Sequence, residues 1–262
     1  MSDQTPEALF DTDGPTAFLT FNRPQARNAL TWAMYDALVD ACERVDADPA
    51  LRVFVVRAAG DAFAAGTDIG QFTAFTSGDD GLAYERRLDA VIDRLERVKA
   101  PTIAQVDGVA AGGGCAIALA CDLRVCTPSA RFGVPIARTL GNCLSAANYA
   151  RLVDLVGPAR TKELLFTGRF LDAQEASTLG LVTAIAERDR LADAVRQLAA
   201  ELAAHAPLTI RATKEAVRRI AAHRRVDPSL ADDLVAACYA SADFREGIDA
   251  FLAKRPPRFT GK

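Results

Sequence analysis

Two histidines in 262 residues, His205 and His223, leave histidine chemistry almost no material. His205 stands beside Pro207 at a helix end and His223 lies in a basic run, so both read as helix-terminal or surface residues. A Ser-His-Asp triad and a histidine-ligated zinc site therefore lack their central parts. The six cysteines, Cys42, Cys115, Cys121, Cys126, Cys143 and Cys238, form no Cys-x-x-Cys pair and mostly have apolar neighbours. They read as small core residues in a reducing compartment, not as a disulfide framework. No apolar run approaches the roughly 18 residues of a membrane span. The polar opening Met1–Glu7 lacks the positive-then-apolar order of a signal peptide. Net charge is −3, and the basic cluster Arg218–Arg225 shares its stretch with Ile220 and Ala221, as a solvated helix face does. The expectation is a cytoplasmic protein with neither membrane nor nucleic-acid partners.

Acid is scarce where chemistry is otherwise suggested. Between Asp107 and Asp154 the only carboxylate is Asp122, and Leu123–Val153 holds none. Inside this region Gly108 to Asp122 reads Gly-Val-Ala-Ala-Gly-Gly-Gly-Cys-Ala-Ile-Ala-Leu-Ala-Cys-Asp. The apolar run Thr102–Val106 before it predicts a buried strand, and Cys115–Cys121 predicts a buried helix. Three glycines between them give open backbone at the positive end of a helix dipole, suited to a phosphate or to a carbonyl becoming an oxyanion. The glycines fall at 108, 112, 113 and 114, which is not Gly-x-Gly-x-x-Gly, and no lysine lies between Lys99 and Lys162. Both nucleotide-binding readings fail on those spacings.

What is present is a regular alternation. Phe18–Phe21, Val53–Val56, Ile103–Val106 and Leu123–Cys126 predict strands, while Thr31–Val45 and Leu82–Val98 carry helical spacing. Such alternation argues for βαβ units and a mostly parallel sheet. From about Leu144 the chain turns helical: Leu144–Val156, Ala159–Leu165, Ala192–Ala204, Leu208–Ala222, Leu230–Ala240 and Phe244–Lys254. Asp172-Ala-Gln-Glu175 predicts a capped short helix, and Leu181–Ile185 a last strand. We expect an α/β core over 1–190 and a helical region over 191–262. Phe75–Gly81, rich in small polar residues, fits either a mobile lid or a plain surface loop.

These segments resemble the crotonase superfamily, the enoyl-CoA hydratase/isomerase proteins. The resemblance is carried by Asn22-Arg-Pro-Gln-Ala-Arg-Asn-Ala-Leu30, Asp61-Ala-Phe-Ala-Ala-Gly-Thr-Asp-Ile69 and Ala100–Gly108. Ala111-Gly-Gly-Gly-Cys115, Ala120-Cys-Asp-Leu123, Ala130-Arg-Phe-Gly133, Leu165-Phe-Thr-Gly168, Ala176–Val182 and Asp243–Gly247 follow in order. The resemblance implies a crotonase-like spiral of ββα units followed by a C-terminal helical region that assembles trimers or hexamers. It also implies a coenzyme A thioester as ligand, with coenzyme A part of the substrate and no separate cofactor. It places the two oxyanion N–H donors on Ala65 and Gly113, and it lines the coenzyme A channel with Ala26, Arg27, Ala65, Gly66, Thr67, Asp68 and Ile69. Asp68 and Asp122 read as structural carboxylates.

The sequence departs from the family's pattern where hydratases carry glutamates. Those two positions hold Ala116 and Ile136, and a third carboxylate position used by some members holds Leu144. Because each positioned acid or base contributes roughly 10²–10⁴ in rate, ordinary hydration should suffer while thioester binding survives. Arg138, Thr139, Asn142, Cys143 and Ser145 surround the vacancy. Arg138 fits either a second carboxylate on the substrate or a surface ion pair. Tyr84 and Glu85 are the remaining candidates, Glu85 as a replacement base or as a solvent-facing charge. An enzyme stabilising a thioester enolate with unusual proton-transfer groups is the leading reading. A non-catalytic acyl-CoA-binding protein and an ordinary hydratase with a substitute base are the alternatives.

Overall fold

In the computed structural model, which describes residues 6–224 and 227–261, the elements follow a repeating strand–strand–helix order. The chain opens with strands β1 (Ala8–Asp13) and β2 (Thr16–Phe21) and helix α1 (Trp32–Ala47), whose cap Thr31 accepts from the Met34 N–H. Three turns of the spiral come next. They are β3 (Val53–Ala58), β4 (Ala62–Ala64) and α2 (Gly78–Glu96); β5 (Thr102–Val106), β6 (Val109–Ala111) and α3 (Gly113–Ala120); then β7 (Leu123–Cys126), β8 (Arg131–Gly133) and α4 (Ile136–Thr139). Helix α5 (Ala146–Thr167), strand β9 (Leu171–Asp172), helix α6 (Ala173–Thr178) and strand β10 (Ala184–Ile185) follow. The chain ends in helices α7 (Arg188–Ala204), α8 (Pro207–Arg224), α9 (Asp232–Ala240) and α10 (Ala242–Leu252). Residues 1–5 and Arg225, and the side chains of His223 and Arg224, lie outside the described part, and with them those parts of the opening segment and the basic cluster.

The first strand of each turn joins a six-stranded sheet, β1-β2-β3-β5-β7-β10, parallel except for the β1–β2 hairpin. The second joins a four-stranded sheet, β4-β6-β8-β9, in which only β9 is antiparallel. Alternation along the strands divides the burial. Phe54 and Val56 face the main core, whereas Val53 and Val55 meet Leu191, Val195 and Ala199 of α7 on the other side. Helix α7 thus covers the outer face of the main sheet, and the 190/191 boundary falls inside it. Helices 144–156 and 159–165 are one run broken at Gly157, which is non-helical (φ 76°) before Pro158.

The segment 75–81 divides between a short connection, 75–77, and the first turn of α2, which is packed in place. Ser77 and Asp80 form a capping box, and Gly78 and Gly81 lie so close to Ala236 and Tyr239 that a Cβ would collide there. Phe75 stacks edge-on to Phe72, with ring centroids 5.3 Å apart. Five of the six cysteines are buried and all are free thiols.

Candidate active site

The N-terminus of α3 opens onto a cleft of about 920 Å³. Its three glycines have separate structural reasons. Gly112 adopts a left-handed φ of 48°, a Cβ on Gly113 would collide with the Tyr35 hydroxyl, and one on Gly114 would lie 2.5 Å from the Ala64 Cβ. Packing therefore accounts for positions that the sequence alone assigns to ligand approach. The first N–H groups of a helix have no intrahelical acceptor, so α3 presents donors and a positive partial charge at this mouth.

The opposing wall is the segment after β4. Here the Ala65 assignment needs correction, because its N–H donates to the Arg27 carbonyl at 3.0 Å. Leu30 forms a parallel bridge with Thr67, donating to the Gly66 carbonyl (2.8 Å) and accepting from the Asp68 N–H (2.9 Å). Extended backbone alternates direction, so the Thr67 N–H points away from Leu30. The Thr67 side chain packs against α3, where a Cβ on Gly113 would stand 3.2 Å from its Oγ1. Thr67 and Gly113 are therefore close neighbours at the edge of the cleft. Thr67 is held by hydroxyl contacts to Tyr35 (2.8 Å) and Tyr84 (2.7 Å), and burial pushes both tyrosines above their ordinary pKa.

Ala26, Arg27, Gly66, Thr67, Asp68 and Ile69 all border the cleft, as do Ala65, Ala116, Ile136, Arg138 and Leu144. Asp68 caps the turn Ile69–Phe72 through the Gly70 N–H (3.0 Å) and pairs with Arg23 at 2.9 Å, which fits its structural reading. Asp122 is likewise structural: it accepts from the Thr102 N–H (2.7 Å) and from Lys214 (2.7 Å), tying β5 to α8. Arg138 is exposed beside Gly168 and forms no ion pair among the described residues.

Only two carboxylates, Asp68 and Glu85, are among the described residues bordering the cleft. Glu85 is 3% exposed, so it is not a solvent-facing charge. Its Oε1 accepts from the Tyr239 hydroxyl (2.7 Å) and its Oε2 from the Ser145 N–H (2.9 Å). Asn142 Nδ2 in turn donates to the Tyr239 oxygen at 3.0 Å. Burial raises the Glu85 pKa from 4.5 to about 8; the two donors oppose that rise, and the nearby Asp89 adds to it. Sequence reasoning missed Tyr239 and placed Ser145 in the polar cluster without linking it to Glu85. It also passed over a signal for Glu85, which stands on the α2 stripe with Leu88, Ile92 and Leu95.

Fold and cleft define a crotonase-type protein, a ββα spiral with its central helix aimed into the site. Residues 12–262 match the family model for enoyl-CoA hydratase/isomerase, and the chain belongs to that family. It is 34% identical to a probable enoyl-CoA hydratase of Mycobacterium tuberculosis over 96% of this chain and 97% of the relative. It is 35% identical to the 2,3-dehydroadipyl-CoA hydratase of Escherichia coli, covering 93% and 94%. Among solved structures, a methylmalonyl-CoA decarboxylase in complex with 2-nitronate-propionyl-CoA superposes with a TM-score of 0.89 at 28% identity, covering 98% and 99%.

Proposed function

We propose that the protein binds a coenzyme A thioester with its carbonyl oxygen between the N–H groups of Thr67 and Gly113, and that Glu85 transfers the proton at the carbon beside that carbonyl. The observation that carries this reading is a buried carboxylate, Glu85, bordering the same cleft as Thr67 and Gly113. An enolate places its charge on the thioester oxygen, and each donor aimed there contributes about 3–4 kcal/mol to the transition state. A pKa near the working pH suits a group that must both give and take a proton. Coenzyme A enters as part of the substrate, and proton transfer of this kind needs no further cofactor.

With Ala116 and Ile136 at the two usual positions, Glu85 and Asp68 are the only carboxylates among the described residues lining the cleft. Isomerisation, decarboxylation or a specialised hydration managed by one carboxylate therefore ranks ahead of two-glutamate hydration. Arg138, free of an ion pair among the described residues, suits an acyl group carrying a second carboxylate. The experiment is calorimetric titration with butyryl-CoA and with its thioether analogue, which lacks the carbonyl. The thioester should bind about tenfold more tightly, the net worth of one to two hydrogen bonds. Equal binding of the two would refute the oxygen site, and binding of neither at high micromolar concentration would refute the reading altogether.

A further inference from the structure

A second cavity of about 220 Å³ lies against α2, lined by Leu82, Glu85, Arg86, Asp89, Ser145 and Asp232 among others. Among the described residues Glu85 alone borders both this cavity and the cleft. The rim of the smaller cavity reaches solvent, since Arg86, Asp227 and Ser229 there are exposed. Asp89 stands one helical turn beyond Glu85, on the same face. Ser145 joins the two carboxylates: its N–H donates to Glu85 and its hydroxyl donates to Asp89 Oδ1 at 2.7 Å. Asn148 Nδ2 also donates to Asp89 (3.1 Å), and Arg151 lies 3.8 Å away, so Asp89 is held in place.

This arrangement answers a difficulty that the proposed function creates. A thioester filling the cleft separates Glu85 from bulk water on that side, yet Glu85 must regain its starting protonation state after each proton transfer. The hydroxyl and thiol groups near Glu85, those of Tyr35, Tyr84, Tyr149, Tyr239 and Cys143, have raised pKa values and hold their protons. We propose that the second cavity is the proton-exchange route of Glu85, with Asp89 as the relaying carboxylate. A proton leaves the Glu85 carboxyl for a water in the cavity, that water gives one to Asp89, and Asp89 releases it to solvent; the reverse sequence reloads Glu85. No co-reactant other than water is needed.

The inference rests on the cleft being a thioester site, so the test occupies the cleft first. Butyl-CoA thioether is bound, and hydrogen–deuterium exchange of the Glu85 carboxyl is followed by its infrared carbonyl band after rapid dilution into D₂O. The band is assigned by its loss in Glu85→Gln. With the cleft occupied, the unsubstituted protein should exchange as it does without ligand. Asp89→Asn, which keeps an acceptor for Ser145, and Ser229→Trp, which plugs the exposed rim, should each slow exchange about a hundredfold. Thioether affinity should stay the same in both. Blocked exchange in the liganded unsubstituted protein, or unslowed exchange in both variants, overturns the proton route alone. Failure of every coenzyme A compound to bind overturns the site reading and this inference with it.

Discussion

Replacing Glu85 with glutamine should change both the pH dependence of stability and the chemistry. In the folded protein the carboxyl titrates near 8, against 4.5 in an exposed chain. Between those values the unfolded chain loses a proton that the folded chain keeps. Stability from this group is therefore complete below about 4.5 and declines until the pH passes about 8. At 1.36 kcal/mol per unit the decline is about 5 kcal/mol at most, less where water reaches the carboxylate. Glu85→Gln keeps an oxygen for the Ser145 N–H or the Tyr239 hydroxyl and removes the titration. Urea unfolding of both proteins across the pH range should show the variant overtaking the parent as pH rises. Proton exchange at the carbon beside the thioester, followed by NMR in D₂O with butyryl-CoA, should fall by about 10²–10⁴ in the variant. Parallel stability curves would refute the burial argument, and unchanged exchange would refute the catalytic role.

Crotonyl-CoA should be hydrated far more slowly than the roughly 10² per second of fast enzymes. Paired Ala116→Glu and Ile136→Glu substitutions should raise that rate; a fast parent enzyme in a stopped assay of hydration would refute the reading. Arg138→Met should weaken malonyl-CoA relative to acetyl-CoA by about tenfold or more, the worth of a charge-assisted hydrogen bond. An unchanged affinity ratio in parallel titrations would exclude Arg138 from acyl recognition. Leu230, Leu234, Phe251 and Leu252 are each more than half exposed, so we expect them to be covered in a trimer or hexamer. Light scattering that returns a single 27.9 kDa chain would refute the assembly.

The long elements were legible because burial writes a period into them. The α1 face of Met34, Leu38, Ala41, Cys42 and Val45 is buried, and so are Leu88, Val91, Ile92 and Leu95 on α2. The short second strands were not legible. Strands β4, β6 and β8 have three residues each, too few for any alternation to stand out, and are defined by their pairing with one another in the four-stranded sheet. Strand β1 escapes notice for another reason. It is an edge strand with half its residues polar and most of them exposed, so its pairing with β2, not its composition, makes it a strand. The tail split in a way that composition could not foresee. Val235, Phe244 and Ile248 are buried in the chain's own core, while Leu230, Leu234 and Phe251 are left outside.

For the site, the motifs fixed which segments converge but not which atoms of them are available. Residues 64–69 and 112–114 do meet, yet the choice between the Ala65 and Thr67 N–H groups is made by Arg27 and Leu30, more than thirty residues away. A backbone donor's freedom is a property of pairing, and pairing between distant segments leaves no local mark in sequence. Glu85 shows the opposite case. A charged residue on an otherwise apolar stripe is a conflict between pattern and chemistry, and the residue order alone displays it. What the stripe could not supply was the resolution of that conflict. Tyr239 comes from a helix 154 residues later and Ser145 from the cap of α5, and together they give the buried carboxylate two donors. Burying an acid costs stability unless its oxygens are satisfied. Here the donors limit that cost, and the raised pKa that remains is the property a proton-transferring group requires.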